Sequence, residues 1–221
     1  MRIDFVANVS HELRTPLTSI KGYVDTLIED VSQRKAVDPD FLSIISRNSE
    51  RLMNLMNDLL DLSAIESDDI LQKDSVDTKD LTSRVMRQLQ ATFEAKNQKV
   101  GANLRAATVS ADAQRAEQVV VNLLDNAVKY TPPGGNIEIS WLADGNDVVL
   151  QVWNDGPAIP IEHHPRLFER FYRVDKARSR EQGGTGLGLA IVKHIMQKHE
   201  GSVWVESHPG KGTSFLCRFP S

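Results

Sequence analysis

The sequence predicts an α+β protein in two parts, an antiparallel helical hairpin followed by a mixed helix–strand domain. Three observations carry this prediction. Two long apolar seams at heptad spacing occupy residues 1–66, an acidic aperiodic stretch follows, and strand-like and helix-like runs then alternate to the end of the chain.

The first seam runs through Ile3, Val6, Leu13, Leu17, Ile20, Val24, Leu27 and Val31, with polar Ser10 filling its gap. The steps alternate between three and four, the spacing of a helix that packs along one side. The stretch S-Q-R-K-A-V-D-P-D breaks the pattern, with Asp38 as N-cap and Pro39 at the first position of a new helix. A second seam follows at Phe41, Ile45, Leu52, Leu55, Leu59 and Leu62, interrupted by Asn48. Two long helices on a short connection favour antiparallel packing. Such a hairpin cannot bury both sides of its seams alone. A dimeric four-helix bundle is the economical solution, and an intramolecular bundle with later helices is the alternative. Met1 stands near the head of the first helix with no cap before it, so the chain reads as a piece of a longer parent.

Residues 66–77 lose the periodicity and carry five acids and one lysine, which divides the chain into a first domain (1–66), a hinge (67–77) and a second domain (78–221). In the second domain, helices are expected at Lys79 to about Asn97 and at Ala113–Tyr130. Strands are expected at Asn136–Leu142 and Asp147–Asn154, joined by a hairpin at Asp144-Gly145. A helix at about Leu187–His199 and strands at Ser202–Ser207 and Thr213–Phe219 close the chain. In the last strand Phe215, Cys217 and Phe219 alternate onto one face, so the lone cysteine is a core residue. One cysteine excludes an internal disulfide and fits a reducing compartment.

The net charge of −4 argues against nucleic acid as the principal partner. No run approaches the roughly 18 apolar residues of a membrane helix, so no direct membrane contact is expected of this segment.

His11 lies one residue off the first seam, on the solvent side, with Arg14 and Thr15 three and four residues on along the same face. Pro16 removes a backbone N–H and crowds the carbonyl of Glu12, at a cost of about 3 kcal/mol for a proline inside a helix. Alone, an outward histidine is an ordinary surface residue. The string F-V-A-N-V-S-H-E-L-R-T-P-L-T-S-I, however, resembles the phosphoacceptor box of sensor histidine kinases over its whole length. The resemblance implies that His11 is phosphorylated, that Glu12 holds or removes the proton on its other ring nitrogen, and that Thr15 positions water for dephosphorylating a partner.

In V-V-N-L-L-D-N-A-V-K-Y-T-P, Asn122, Asn126 and Lys129 form one polar stripe, and Leu123, Leu124, Ala127 and Val128 supply the buried side. Two amide oxygens and an ammonium in line suit a Mg²⁺–triphosphate, though such a stripe alone could be a solvated helix face. Further on come V-W-N-D-G-P-A-I-P, R-L-F-E-R-F-Y-R, G-G-T-G-L-G-L-A-I-V and G-K-G-T-S-F. The third opens a glycine-rich loop into a helix, an arrangement that offers backbone N–H groups to phosphate. Between Arg166 and Arg180 six cations face only Glu169 and Asp175, a local basic lid whose charges, Arg170 and Arg173 among them, could reach a γ-phosphate.

In this order the motifs resemble the asparagine, first glycine, phenylalanine and second glycine boxes of the histidine-kinase ATPase domain. That resemblance implies an α/β two-layer sandwich of the GHKL (Bergerat) type, binding ATP and Mg²⁺. It implies Asn126 as a Mg²⁺ ligand with Asn122 nearby, Lys129 on the phosphates and Tyr130 on the adenine. The phosphate loop would be Gly184, Thr185, Gly186, Leu187 and Gly188, and Thr213 and Gly156 would line the pocket. The segment R-F-Y-R-V-D-K-A-R-S-R is especially similar to phosphate-sensing kinases.

One position departs from the pattern. Where the family places an adenine-reading aspartate, alignment on Ile159-Pro160 gives Asn154, with Asp155 next and Ala158 for the second glycine. An amide can still accept from the adenine amino group and donate to a ring nitrogen. A register using Asp155 stays open. The whole implies a homodimeric, ATP-dependent protein-histidine kinase that passes its phosphoryl group to a response-regulator aspartate. The segment is expected to be cytoplasmic, within a parent anchored in the bacterial inner membrane.

Overall fold

The computed structural model describes residues 2–33, 35–67, 71–175 and 184–221. Helix α1 (Arg2–Ser32) runs unbroken through Pro16, and α2 (Pro39–Ser67) returns antiparallel beside it. Asp38 starts α2 by accepting a hydrogen bond from the Asp40 amide at 2.9 Å, and Pro39 is its first residue, where a missing N–H costs nothing. The hairpin is held by Tyr23 against Phe41, ring centroids 5.2 Å apart, and by Asn48, whose amide reaches Ser19 at 3.5 Å. No helix among the described residues is long and apolar enough to cross a membrane.

Strand β1 (Asp74–Asp77) follows and pairs antiparallel with β3 (Thr108–Ala111). It occupies the end of the acidic stretch read as a hinge, so those four residues are tied to the α/β part of the molecule. Helix α3 (Thr78–Ala95) and strand β2 (Lys99–Leu104) lie between them. Then come α4 (Ala113–Tyr130), β4 (Asn136–Asp144), β5 (Asp147–Asn154), α5 (Gly188–Lys198), β6 (Ser202–His208) and β7 (Gly212–Phe219). A two-turn 3₁₀ helix at Ile161–Arg166 leads into the basic segment. Asp77 and Asp112 cap α3 and α4, accepting from the amides of Asp80 and Arg115, each cap worth about 1 kcal/mol.

The main sheet has the order β2-β4-β5-β7-β6, with β2 parallel to β4 and the other pairs antiparallel. Gly145, at φ 64°, allows the two-residue turn between β4 and β5. Ile137, Ile139 and Trp141 of β4 and Phe215, Cys217 and Phe219 of β7 are buried with Leu123, Leu124 and Ile191 of the helices. The second part is therefore a two-layer α/β sandwich with its core between helices and sheet. Burial pushes the Cys217 thiol far above its ordinary value, as suits an inert core residue.

Candidate active site

The residues singled out from sequence fall in two clusters, one on α1 and one along α4, the glycine turns and the start of α5. On α1, His11, Arg14 and Thr15 are exposed, and the Thr15 hydroxyl donates back to the His11 carbonyl at 3.1 Å. Glu12 points elsewhere. Its Oε2 accepts from Arg51 Nη2 of α2 at 2.8 Å and from Arg173 Nη2 at 3.3 Å. Among the described residues no hydrogen bond joins Glu12 to the His11 ring, and both of its bonds fall on Oε2. A carboxylate between two largely buried guanidiniums is held by charge-assisted hydrogen bonds.

The same holds for the other groups expected at the phosphates. Arg170 pairs with Glu66 of α2, stacks over Phe5 of α1 at 5.0 Å, and stands 3.0 Å from His194 Nε2. The Thr185 hydroxyl donates to Asp58 Oδ2 at 2.5 Å. Phe5 and Phe171 pack with centroids 5.9 Å apart. Arg170 and Arg173 are turned to hairpin carboxylates because guanidinium groups leaving water need a counter-charge, and the Thr185 hydroxyl donates to a third. Burial raises the Asp58 carboxyl above the ordinary carboxylate range; the Thr185 hydrogen bond and Lys129 act against it, while Asp61 and Asp125 add to it. Arg51, Asp58 and Glu66 were not singled out in the sequence. Arg51 is buried on α2 together with Leu55 and Leu62 of the seam and Ile65, and its place four residues before Leu55 was the available signal.

On α4, Asn122, Asn126, Lys129 and Tyr130 are half-buried, while Leu123, Leu124, Ala127 and Val128 are buried, so the polar stripe faces outward as read. Lys129 Nζ pairs with Asp125 at 2.6 Å. Asn122 donates to the Gln118 carbonyl at 2.8 Å, and its oxygen lies against Gly188, where a Cβ would stand 2.8 Å from it. Gly188 thus lets the N-terminus of α5 close on the stripe. Gly186 has φ 78°, and its carbonyl accepts from the Phe171 amide at 2.8 Å, which joins the second glycine turn to the phenylalanine segment. Leu187, fully buried, precedes α5 without a side-chain cap, which leaves amide donors there for an anion.

Asn154 ends β5 with 3% of its surface exposed, paired in register with Thr213 of β7. A Cβ on Gly156 would stand 2.5 Å from the Asn154 amide nitrogen and 2.6 Å from the Tyr130 carbonyl oxygen. The chain reverses tightly over Asn154, and only glycine fits. Asp155 turns the other way: its Oδ2 accepts from the Asn136 backbone at 2.8 Å and side chain at 2.7 Å, fastening the start of β4. The buried Thr213 hydroxyl bonds Ser207 at 2.6 Å. A cleft of about 500 Å³ opens beside Trp153, Lys211 and Gly156; of the expected nucleotide residues it shares only Asp155 and Gly156. Gly184 is half-buried, whereas Lys176, Arg178 and Arg180 of the basic lid lie outside the described residues.

An open helix N-terminus, amide oxygens beside it and a buried amide under a glycine turn fit the groups of a Mg²⁺–ATP complex: anionic phosphates, a hard cation and an adenine edge.

Comparison with known proteins identifies the family of both parts. Residues 1–68 match the His Kinase A (phospho-acceptor) domain, and residues 111–221 match the histidine kinase-, DNA gyrase B-, and HSP90-like ATPase family. The phosphate regulon sensor protein PhoR of Pseudomonas aeruginosa is 43% identical over 99% of this chain, which spans 50% of that relative's length. The histidine kinase AdeS of Acinetobacter baumannii superposes with a TM-score of 0.77 at 27% identity, covering 95% of this chain and 97% of AdeS. The histidine kinase ThkA, solved in complex with the response regulator protein TrrA, superposes with a TM-score of 0.81 at 25% identity, covering 98% of this chain and 61% of ThkA. The chain belongs to the histidine kinase-, DNA gyrase B-, and HSP90-like ATPase family, and its phospho-acceptor hairpin joined to that domain makes it a sensor histidine kinase core.

Proposed function

We propose that this chain is the ATP-dependent catalytic core of a two-component kinase, which phosphorylates His11 and passes the group to an aspartate of a response-regulator receiver domain. The observation that carries the reading is the contact of Glu12, next to His11, with Arg173 of the phenylalanine segment, since one hydrogen bond joins the acceptor turn to the nucleotide side. A ring nitrogen of His11 bonds the γ-phosphorus, the bond to the bridging oxygen breaks and ADP leaves. Glu12 takes the proton of the other ring nitrogen.

Asn154 reads the adenine amino group with Tyr130 packed beside it, and Thr213 and Gly156 line the pocket. Lys129 and the backbone of Gly184, Thr185, Gly186, Leu187 and Gly188 receive the phosphates. Asn126, with Asn122 beside it, holds Mg²⁺, which when bound neutralises charge on the phosphate oxygens. Arg170 and Arg173 exchange hairpin acids for the γ-phosphate as the two parts reposition, and Thr15 places water when the regulator is dephosphorylated. Residues 67–77 supply the hinge for that movement.

A second copy of the chain covers the hairpin. Val6, Leu17, Val24, Ile28 and Val31 of α1 and Met53, Met56 and Leu60 of α2 are exposed apolar side chains on two adjoining helices, the composition of a bundle awaiting its other half. The ThkA–TrrA complex supports the regulator as the other partner. The segment works in the cytoplasm as part of a longer sensor held in the bacterial inner membrane.

Incubation with γ-labelled ATP tests the reading. Wild type should acquire label that is lost in acid and kept in base, as expected of a phosphoramidate, and His11→Gln should acquire none while binding ATP normally. Acid-stable label, or undiminished label in the mutant, sinks it.

A further inference from the structure

Arg51 has no part in the reaction as described, yet among the described residues it is the buried cation of the hairpin. Its side chain is 10% exposed, comes from the helix opposite His11, and donates to Glu12 Oε2 at 2.8 Å. We propose that Arg51 is a positioning residue for Glu12: it holds Oε2 so that Oε1 is left to accept the proton from His11. The inference rests on the reading of His11 as phosphoacceptor.

Geometry gives the two guanidiniums on Glu12 different tasks. Both reach the same oxygen, and among the described residues no hydrogen bond is made to Oε1. Arg173 belongs to the α/β part and arrives or leaves with it. Arg51 is carried by the hairpin itself and stays with Glu12 through any movement of the nucleotide domain. A glutamate on a helix has three side-chain torsions to settle before it can serve a neighbour, and neighbouring helix residues do not face each other squarely. Fixing one oxygen from the facing helix removes that freedom. During transfer the nitrogen–phosphorus bond forms, the bond to the ADP oxygen breaks, and the ring proton passes to Oε1 while Oε2 stays on Arg51.

A general base placed wrongly by about 1 Å can cost roughly a hundredfold in rate. The test measures the first-order rate of acid-labile labelling at saturating ATP, with the KM for ATP, for wild type, Arg51→Met and Arg51→Lys in the whole chain. Arg51→Met should be slower by roughly ten- to a hundredfold with KM within about twofold, because the loss falls on proton transfer and not on nucleotide binding. Arg51→Lys, which keeps one donor and the charge, should recover at least about a third of the lost logarithm of rate. Equal rates for all three overturn the proposal. So do a defect confined to KM, and equal defects in Met and Lys. Failure of the function reading looks different, since wild type itself would then carry no acid-labile label.

Discussion

The hairpin and the α/β domain solve the same burial problem to different degrees. In the α/β domain Trp141, Leu123, Leu124, Ile191 and Cys217 are fully buried, and the sheet and helices close on each other. In the hairpin Val6, Leu17 and Leu60 are each more than half exposed, and the buried residues of α2 lie on the side that meets α5 and the phenylalanine segment. One part finishes its own core. The other is built from surfaces that borrow, apolar on one side and acidic on another. A kinase of this reading needs that division, because the acceptor must meet a second copy, a nucleotide domain and a regulator in turn.

The largest effect should come from charging the apolar side. Leu60→Asp places a carboxylate where a second hairpin would bury it, at several kcal/mol per ion, so dimerisation should fall by about a hundredfold or more. The thermal transition of the α/β domain should not move. Sedimentation equilibrium of the mutant decides, and a dimer of wild-type strength would place the partner on another face.

A smaller effect is expected in the finished part of the molecule, at Asn154. The resemblance places an aspartate there; Asn154 is buried beneath the Gly156 turn, whereas Oδ2 of Asp155 fastens Asn136. Asn154→Ala removes an acceptor from a buried contact, at roughly 1–3 kcal/mol, so ATP should bind about five- to a hundredfold more weakly. Asp155→Ala should instead loosen the end of β4 and lower thermal stability before affinity. Titration with a fluorescent ATP analogue separates them, and a larger affinity loss at Asp155 would reverse the assignment.

What could be read from the sequence follows the strength of local signals. Helix α4 and strand β5 have the bounds expected, because a capping Asp112, an amphipathic run and a glycine turn punctuate them. Strands β1, β2 and β3 went unread. K-V-G-A-N-L carries a glycine and an asparagine and is a strand by virtue of its parallel pairing with β4, while β1 and β3 are four residues each and exist through each other. The motifs pointed to candidate nucleotide residues but not to the side chains that pack against the motifs. Arg51, Asp58 and Glu66 acquire partners through tertiary packing, at sequence separations of 39, 127 and 104 residues.

The smallest expected effect tests that junction. Asp58 meets Thr185 at the glycine turn, and burial raises its carboxyl above the ordinary range against the pull of the Thr185 hydroxyl and Lys129, with Asp61 and Asp125 adding to the rise. In the docked arrangement the group therefore binds its proton more tightly than it would in water. By linkage, the contact is strongest at low pH and loses stability as pH rises from the ordinary carboxylate value through the raised one. Asp58→Asn keeps an acceptor for the Thr185 hydroxyl and removes the ionised form. Docking should then stop varying over that window and, at neutral pH, become stronger by up to roughly fivefold, about one neutral hydrogen bond of 1 kcal/mol. Paired fluorescent labels on α2 and β6 would read the separation of the two parts between acid and neutral pH. If the mutant retains the wild-type pH dependence, the titrating group lies elsewhere.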